Sequence, residues 1–266
     1  MSDIYRYTIL GCGSSAGVPR IGPDWGNCDP QNPRNRRRRC SMLIERISKS
    51  GTTRALIDTG PDLREQLLAA NISTLDGVVY THPHADHVHG VDDLRVVVYN
   101  LAERLRVFAD GATANALIAR FGYVFVQPEG SAYPPILDLH PIDGPVRIDG
   151  AGGEIKLEPF TVKHGRIDAL GFRIGGLVYL PDVSEMYEES WAAVQGLDIW
   201  VLDALRRAPH PTHIHLEGAL QWIRQAAPKR AVLTNMHIDL DYAEVKAETP
   251  EHIEPAFDGM VLELPA

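Results

Sequence analysis

The stretch Thr81-His-Pro-His-Ala-Asp-His-Val-His-Gly90 places four imidazoles and one carboxylate within eight positions, directly after the apolar run Gly77-Val-Val-Tyr80. A strand that ends here passes into a loop, which is where binding and catalytic groups are usually carried. In extended backbone, residues two apart point the same way, so His82 and His84 share a direction. Asp86 and His87 fall in what reads as the first turn of a helix, and that bend aims them at a neighbouring point. The resulting His-x-His-x-Asp-His set offers nitrogen and oxygen donors to two adjacent divalent ions. Imidazole and carboxylate suit zinc, manganese, iron, cobalt or nickel alike. A chance cluster on a loop is the competing explanation, and four imidazoles with an aspartate in so short a span weigh against it. His89 reads either as support for a ligand or as an exposed side chain.

A pair of metals needs further ligands, and other strand ends supply candidates. His164 closes Glu158-Pro-Phe-Thr-Val-Lys-His164, Asp182 follows Leu177-Val-Tyr-Leu-Pro181, and His237 follows Val232-Leu-Thr-Asn-Met236. A carboxylate has two oxygens, so Asp182 is suited to bridging. Taken singly, each reads more readily as a structural or surface residue; as a set, all just beyond strands, they fit one convergent site. Asp58, in Leu56-Ile-Asp-Thr-Gly60, ends another strand and is expected to orient a ligand histidine rather than to bind metal.

The rest of the chain sets limits. It has 266 residues, 44% hydrophobic and 23% charged, the composition of an ordinary globular protein. A single domain over residues 1–266 is expected, since layered α/β folds reach this size around one core. The three cysteines, Cys12, Cys28 and Cys40, form no disulfide framework and no CxxC pair, so a reducing, cytoplasmic setting is expected. No basic segment followed by an apolar run opens the chain, and no apolar stretch is long enough to span a bilayer. A formal charge of −9 argues against nucleic acid as a partner. The run Arg36-Arg37-Arg38-Arg39 is the local exception, either a solvated loop or salt-bridged surface, or a local phosphate-binding patch.

The order of predicted elements is strands first, then strands alternating with helices. Strands are predicted over 5–10, 41–46, 54–58, 77–80, 104–108, within 137–181, and over 198–202 and 230–233. Helices are predicted over 61–70, 112–121, 184–194 and 216–226, with a long loop over 14–39. Such a loop in a compact protein is usually functional. The pattern suggests two sheets face to face with helices outside, a four-layer αββα arrangement.

These residues together resemble the metallo-β-lactamase superfamily. The matching pieces are Leu56–Gly60, Thr81–His87, His164, Tyr179-Leu-Pro-Asp182 and the strand before His237. Gly11-Cys-Gly-Ser-Ser-Ala-Gly-Val-Pro19, Arg39-Cys-Ser41 and His89-Gly-Val-Asp-Asp-Leu-Arg95 narrow the resemblance to the phosphodiesterase branch. That branch includes the phosphoribosyl 1,2-cyclic phosphate phosphodiesterases and, more distantly, the tRNA 3′-processing endonucleases.

The resemblance implies two divalent ions per chain, zinc or manganese. His82, His84 and His164 would hold one, Asp86 and His87 the other, with Asp182 bridging. The last ligand is expected to be His237, with Asn235 or a weakened second metal as the alternatives. Asn235 stands where the related pattern has histidine, and His237, two residues on, could substitute. The related structural zinc is not expected, because the early loop offers only Cys28 and Ile238 stands at its histidine position. His213, in His210-Pro-Thr-His-Ile-His215, aligns with the substrate-side histidine of the family, either orienting phosphate or protonating the leaving oxygen; a histidine with no role is the alternative.

The implied activity is hydrolysis of a small cyclic or nucleotide-like phosphodiester through a water shared by two metals. Catalytic roles fall to Asp86, Asp182 and His213. Arg20, Arg95 and His215 are weaker candidates for substrate contact. The aromatic segment 121–135 offers rings to a sugar or base, or is a packed lid. A tRNA-type endonuclease and a metal-binding protein with little turnover remain as alternatives. No membrane partner is expected, and a homodimer stays open.

Overall fold

The computed structural model describes residues 3–127 and 129–266. In chain order the elements are β1 (Ile4–Gly11), β2 (Ser41–Ser48), β3 (Gly51–Ile57), α1 (Leu63–Ala69), β4 (Gly77–Val79), α2 (Ala85–Val88), α3 (Leu94–Leu101), β5 (Leu105–Ala109), α4 (Gly111–Phe125), β6 (Leu137–Pro141) and β7 (Val146–Ile148). There follow β8 (Ile155–His164), β9 (Ile167–Ile174), β10 (Leu177–Leu180), β11 (Glu185–Met186), β12 (Ile199–Asp203), α5 (Leu216–Ala226), β13 (Arg230–Thr234), α6 (Tyr242–Glu248), β14 (Ile253–Pro255) and β15 (Met260–Pro265). The chain divides into two compact units. One comprises residues 1–10, 41–156 and 261–266, the other 11–40 and 157–260.

The first unit carries a mixed sheet in the order β15-β1-β2-β3-β4-β5-β6. β2 and β3 form an antiparallel hairpin in which Met42 faces Ile57 and Ser48 faces Gly51. From β3 onward each strand pairs parallel with the next. Parallel neighbours need a crossover, and α1, α3 and α4 supply them. The helices bury Leu63, Leu67, Leu94, Val97, Leu117 and Val124 against Leu56, Val78 and Val107 of the strands.

The second unit carries the order β11-β8-β9-β10-β12-β13-β14. β8, β9 and β10 run antiparallel in succession, whereas β10, β12, β13 and β14 pair in parallel. The class is therefore α/β with two mixed sheets, as the order of elements suggested. Helix α5 occupies the predicted span, residues 216–226.

The helix expected over 184–194 is not formed. Met186 instead pairs with Val162 in the short strand β11, and a 3-10 turn covers Glu189–Val194. The Ser190 hydroxyl donates to the Thr161 carbonyl at 2.5 Å, a side-chain bond that competes with regular helix.

The 14–39 segment is a loop, but a tightly tied one. Arg37 is 2% exposed. Its guanidinium donates to the carbonyls of His237 (3.3 Å) and Leu240 (2.7 Å) and to Asn35 Oδ1 (3.2 Å). Its backbone exchanges two 2.9 Å bonds with Val18. Arg38 lies 3.6 Å from Asp258, and Arg36 sits over the Trp25 ring. The four-arginine run is therefore not a solvated loop: Arg37 is buried in carbonyl contacts, and Arg38 is salt-bridged, as one of the two surface readings expects. Among the described residues no helix is long and apolar enough to cross a membrane.

Candidate metal centre

In each unit, the polar groups with ligand chemistry sit just past the ends of strands. In open α/β sheets, ligands bind outside the carboxyl ends of the strands. In the first unit Asp58 follows β3, and Thr81 and His82 lie just beyond β4. Asp58 is fully buried with a left-handed backbone, φ 63°. Such strain is a reason to look for function.

Its carboxylate accepts from the Thr81 amide at 2.8 Å, the Thr81 hydroxyl at 2.7 Å and His87 Nδ1 at 2.7 Å. Burial pushes its pKa up, and the His87 and Thr81 contacts oppose that shift. With Nδ1–H given to Asp58, the acceptor nitrogen of His87 is Nε2, which lies 3.5 Å from Asp86 Oδ2. The Thr81 hydroxyl donates to Asp58 and so accepts from His82 Nδ1, 2.9 Å away. His82 Nε2 then faces His84 Nδ1 at 3.0 Å. Asp58 thus fixes two imidazoles, one directly and one through Thr81. Ligand histidines are characteristically oriented by such carboxylate or carbonyl partners.

Helix α2 brings Asp86 and His87 to the rings that precede it. The His82 and His87 ring centroids are 4.2 Å apart, and those of His82 and His84 4.6 Å. All four residues of the His-x-His-x-Asp-His set therefore gather, as their spacing predicts. His89 is exposed and meets Phe121 edge-on, with centroids 5.6 Å apart.

In the second unit His164 ends β8, Asp182 lies two residues past β10, Asp203 ends β12 and Asn235 follows β13. One donor atom each from His164, Asp182 and His213 lies within 4.8 Å of the others. His164 Nδ1 donates to the Thr212 carbonyl at 2.7 Å, which makes Nε2 its acceptor nitrogen. His213 Nδ1 is 2.9 Å from Asp203 Oδ2. Asp203 is fully buried, and its pKa is pushed up to about 7. Burial is the main cause, and the nearby Asp182 charge adds to it. His213 and the Val183 amide, 3.1 Å away, act the other way.

Asn235 is 2% exposed and left-handed at φ 59°. Its Nδ2 lies 3.2 Å from Asp203 Oδ1, 3.4 Å from Asp182 Oδ1 and 3.1 Å from His213 Nδ1. Since His213 Nδ1–H serves Asp203, the two amide hydrogens of Asn235 serve the two carboxylates and offset their mutual repulsion.

His237 does not join this group. Its Nδ1 is 3.0 Å from Asp239 Oδ1 and its Nε2 bonds the Arg20 guanidinium. Burial, with Arg20 and Arg206 nearby, lowers its pKa against the pull of Asp239. His210 bonds Thr212, and its ring centroid is 5.3 Å from that of His213. His215 caps α5, and Cys28 Sγ lies 3.4 Å from the Ile238 carbonyl. Arg95, on α3, pairs with Asp92 at 2.7 Å. Asp203, Thr81 and Thr212 are participants that sequence reading missed. Asp203 had a visible signal, an aspartate closing the apolar strand Ile199-Trp-Val-Leu-Asp203.

His82 and His87 in the first unit and His164 and His213 in the second, each turned by an oxygen at Nδ1 and set beside aspartate oxygens, fit divalent metal. The profile of the beta-lactamase superfamily domain matches residues 53–238. The chain belongs to the metallo-β-lactamase superfamily, in its phosphodiesterase branch. A crystal structure described as a new diphosphatase from the PhnP family is 35% identical, with a TM-score of 0.87 over 98% of this chain and 97% of that one.

An octanoyltransferase of Porphyromonas gingivalis (strain ATCC BAA-308 / W83) is 33% identical over 262 residues, 96% of this chain and 51% of that protein. A ribonuclease Z of Bradyrhizobium sp. (strain ORS 278) is 29% identical over 131 residues, 47% of this chain and 42% of that protein. This chain thus spans about half the length, or less, of these two curated relatives. The octanoyltransferase name belongs to a protein of which nearly half lies outside the match.

Proposed function

We propose that the chain is a metal-dependent phosphodiesterase acting on a small cyclic or nucleotide-like phosphodiester. His82, His84, Asp86, His87, His164 and Asp182 would hold two divalent ions, zinc or manganese. The observation that carries this reading is the matched orientation of the histidines. His87, His164 and His213 each direct Nδ1 to an oxygen acceptor, which makes Nε2 the nitrogen that carries the lone pair. Superfamily membership over most of the chain supports it.

Such ions, when bound, lower the pKa of a coordinated water from about 15.7 towards neutrality and offset charge on phosphate oxygens. The chain's own residues do the rest. Asp58 holds His87 and, through Thr81, His82. Asn235 keeps Asp182 and Asp203 together. His213, steadied at Nδ1 by Asp203, contacts the phosphate or passes a proton from Nε2 to the departing alkoxide, with Asp203 stabilising the imidazolium. Arg20, which bonds His237 and lies 4.0 Å from Asp24, would be the cation that meets an anionic group of the substrate.

The ribonuclease Z relative gives an RNA-processing reading some support, and the charge of −9 opposes it. The test is hydrolysis of bis-aryl phosphodiester, cyclic nucleotide, thioester, lactam and precursor tRNA before and after chelation, then with Mn²⁺ or Zn²⁺ restored. Small phosphodiesters should be cleaved, cleavage should vanish with chelator, and metal should restore it. Preferred cutting of precursor tRNA, or no metal-dependent phosphodiester cleavage, would overturn the reading.

A further inference from the structure

The segment after the histidine loop builds a second feature in the first unit. Arg120 of α4 donates to the Pro83 carbonyl at 2.6 Å, and the next residue, Phe121, meets His89. At Phe121 the helix departs from helical geometry, with φ −131° and ψ 27°. Beyond this kink Tyr123 joins α3 through Asp92, whose carboxylate also accepts from Arg95 at 2.7 Å. Arg95, Tyr123, Ser131, Tyr133 and Pro134 line an open pocket of about 280 Å³. Tyr123 is 46% exposed and Tyr133 70%.

Two large rings kept this accessible in a pocket, beside a joined cation and anion, form a surface for a planar polar group. The tyrosine faces suit a flat π system. The Arg95 guanidinium has donors beyond the one given to Asp92, the Asp92 carboxylate accepts, and the Ser131 hydroxyl does either. A heteroaromatic ring with donors and acceptors on its edge matches all three. A bare phosphate matches poorly, because Asp92 already offsets the arginine charge.

We propose that this pocket takes the base of a nucleotide-like substrate, with Tyr133 as its stacking platform and the Asp92–Arg95–Tyr123 network as its fixed wall. The inference rests on the phosphodiesterase reading for its purpose, since α3 and α4 both adjoin the histidine loop. It specifies the substrate class of that site as a nucleoside phosphodiester rather than a sugar phosphate alone.

The test measures binding of AMP and of ribose 5-phosphate to the full chain by calorimetry, for the wild type, Tyr133→Ala and Tyr133→Phe. AMP should bind about tenfold more tightly than ribose 5-phosphate, the lower end of what base–aromatic stacking gives. Tyr133→Ala should bring the ratio near one, and Tyr133→Phe should keep it, since the ring is retained. In turnover, the kcat/KM preference for a base-bearing phosphodiester over a base-free one should fall by the same factor in Tyr133→Ala. Equal binding of the two ligands by the wild type, or an unchanged ratio in Tyr133→Ala, overturns the proposal. A protein that cleaves no phosphodiester but keeps the binding preference would refute the activity reading and leave the pocket assignment standing.

Discussion

Asp58 illustrates how much one side chain can set. It touches neither Asp86 nor His84 in the bonds described above, yet it fixes the ring of His87 directly and that of His82 through Thr81. Asp58→Ala is expected to weaken metal binding by about 10–100-fold, the usual effect of removing a partner that orients a ligand histidine. Elemental analysis and metal titration of the variant check this; wild-type metal content and affinity would count against it. Such residues were partly legible in the sequence. The gathering of the His-x-His-x-Asp-His set is legible, because chemistry and local geometry lie in the same few positions. Asp58 was legible as an aspartate at a strand end. Thr81 and Asp203 were not singled out, since a threonine beside a histidine and an aspartate after an apolar run occur in many settings. Asn235 was visible only as a departure from the related pattern. Its action as a double donor between Asp182 and Asp203 depends on three elements that are distant in the chain. The two-residue spacing predicts that His237 shares the direction of Asn235. But β13 ends at Thr234 and Asn235 is left-handed, so the extended-chain rule no longer applies there.

At the scale of elements, the histidine helix α2 is a single turn and cannot hold itself in place. Its ends are tied to the segment after β3: Thr59 donates to the His87 carbonyl and Gly90 to the Thr59 carbonyl, both at 2.7 Å. This requires Gly90 to lie against neighbouring backbone. A Cβ at Gly90 would fall 2.1 Å from the Gly60 carbonyl oxygen and 2.9 Å from Leu63 Cβ. Gly90→Ala should therefore destabilise the protein by about 1–3 kcal/mol, as overpacking typically does. A denaturant midpoint equal to the wild type would refute this. Elements with a clean period were legible: α5 begins and ends where its pattern does. Helix α3 was not assigned, because Val96-Val-Val98 suits a strand by side-chain preference. Burial of Leu94, Val97 and Val98 at helical spacing against the sheet decides for helix. The error at 184–194 has the opposite character, since strand pairing and a hydroxyl bond to β8 outweigh local helical pattern.

For the whole molecule, stability carries a pH signature outside the proposed metal ligands. Asp258 is largely but not fully buried, accepts from the Arg38 amide at 2.8 Å and lies 3.5 Å from Cys12 Sγ. Burial raises its pKa from the ordinary 3.8 to about 7, although Arg38 and Cys12 pull the other way. The sign follows from linkage: a raised folded pKa gives stability that is present in full below about pH 4 and is lost as pH rises through 7. Between those limits the wild type should lose stability relative to Asp258→Asn by at most about 1.4 kcal/mol per pH unit. Urea unfolding of both proteins at pH 5.5 and pH 8 tests this, and an unchanged difference would refute it. At this scale, composition and charge identified an ordinary folded protein. The order of elements gave the α/β class, while sheet order and strand partners required the structure.

Arg37 carries a consequence for how the early loop can move. Its fork grips carbonyls contributed by residues some two hundred positions away, and its backbone is zipped to Val18. Lifting the Arg37 stretch, or the Val18 stretch zipped to it, would strand a cation among unsatisfied oxygens, so peeling there is penalised steeply. The Val18 and Arg37 stretches should therefore release together, like the two sides of a clasp, and Arg37→Lys, with a single ammonium to share, should loosen both.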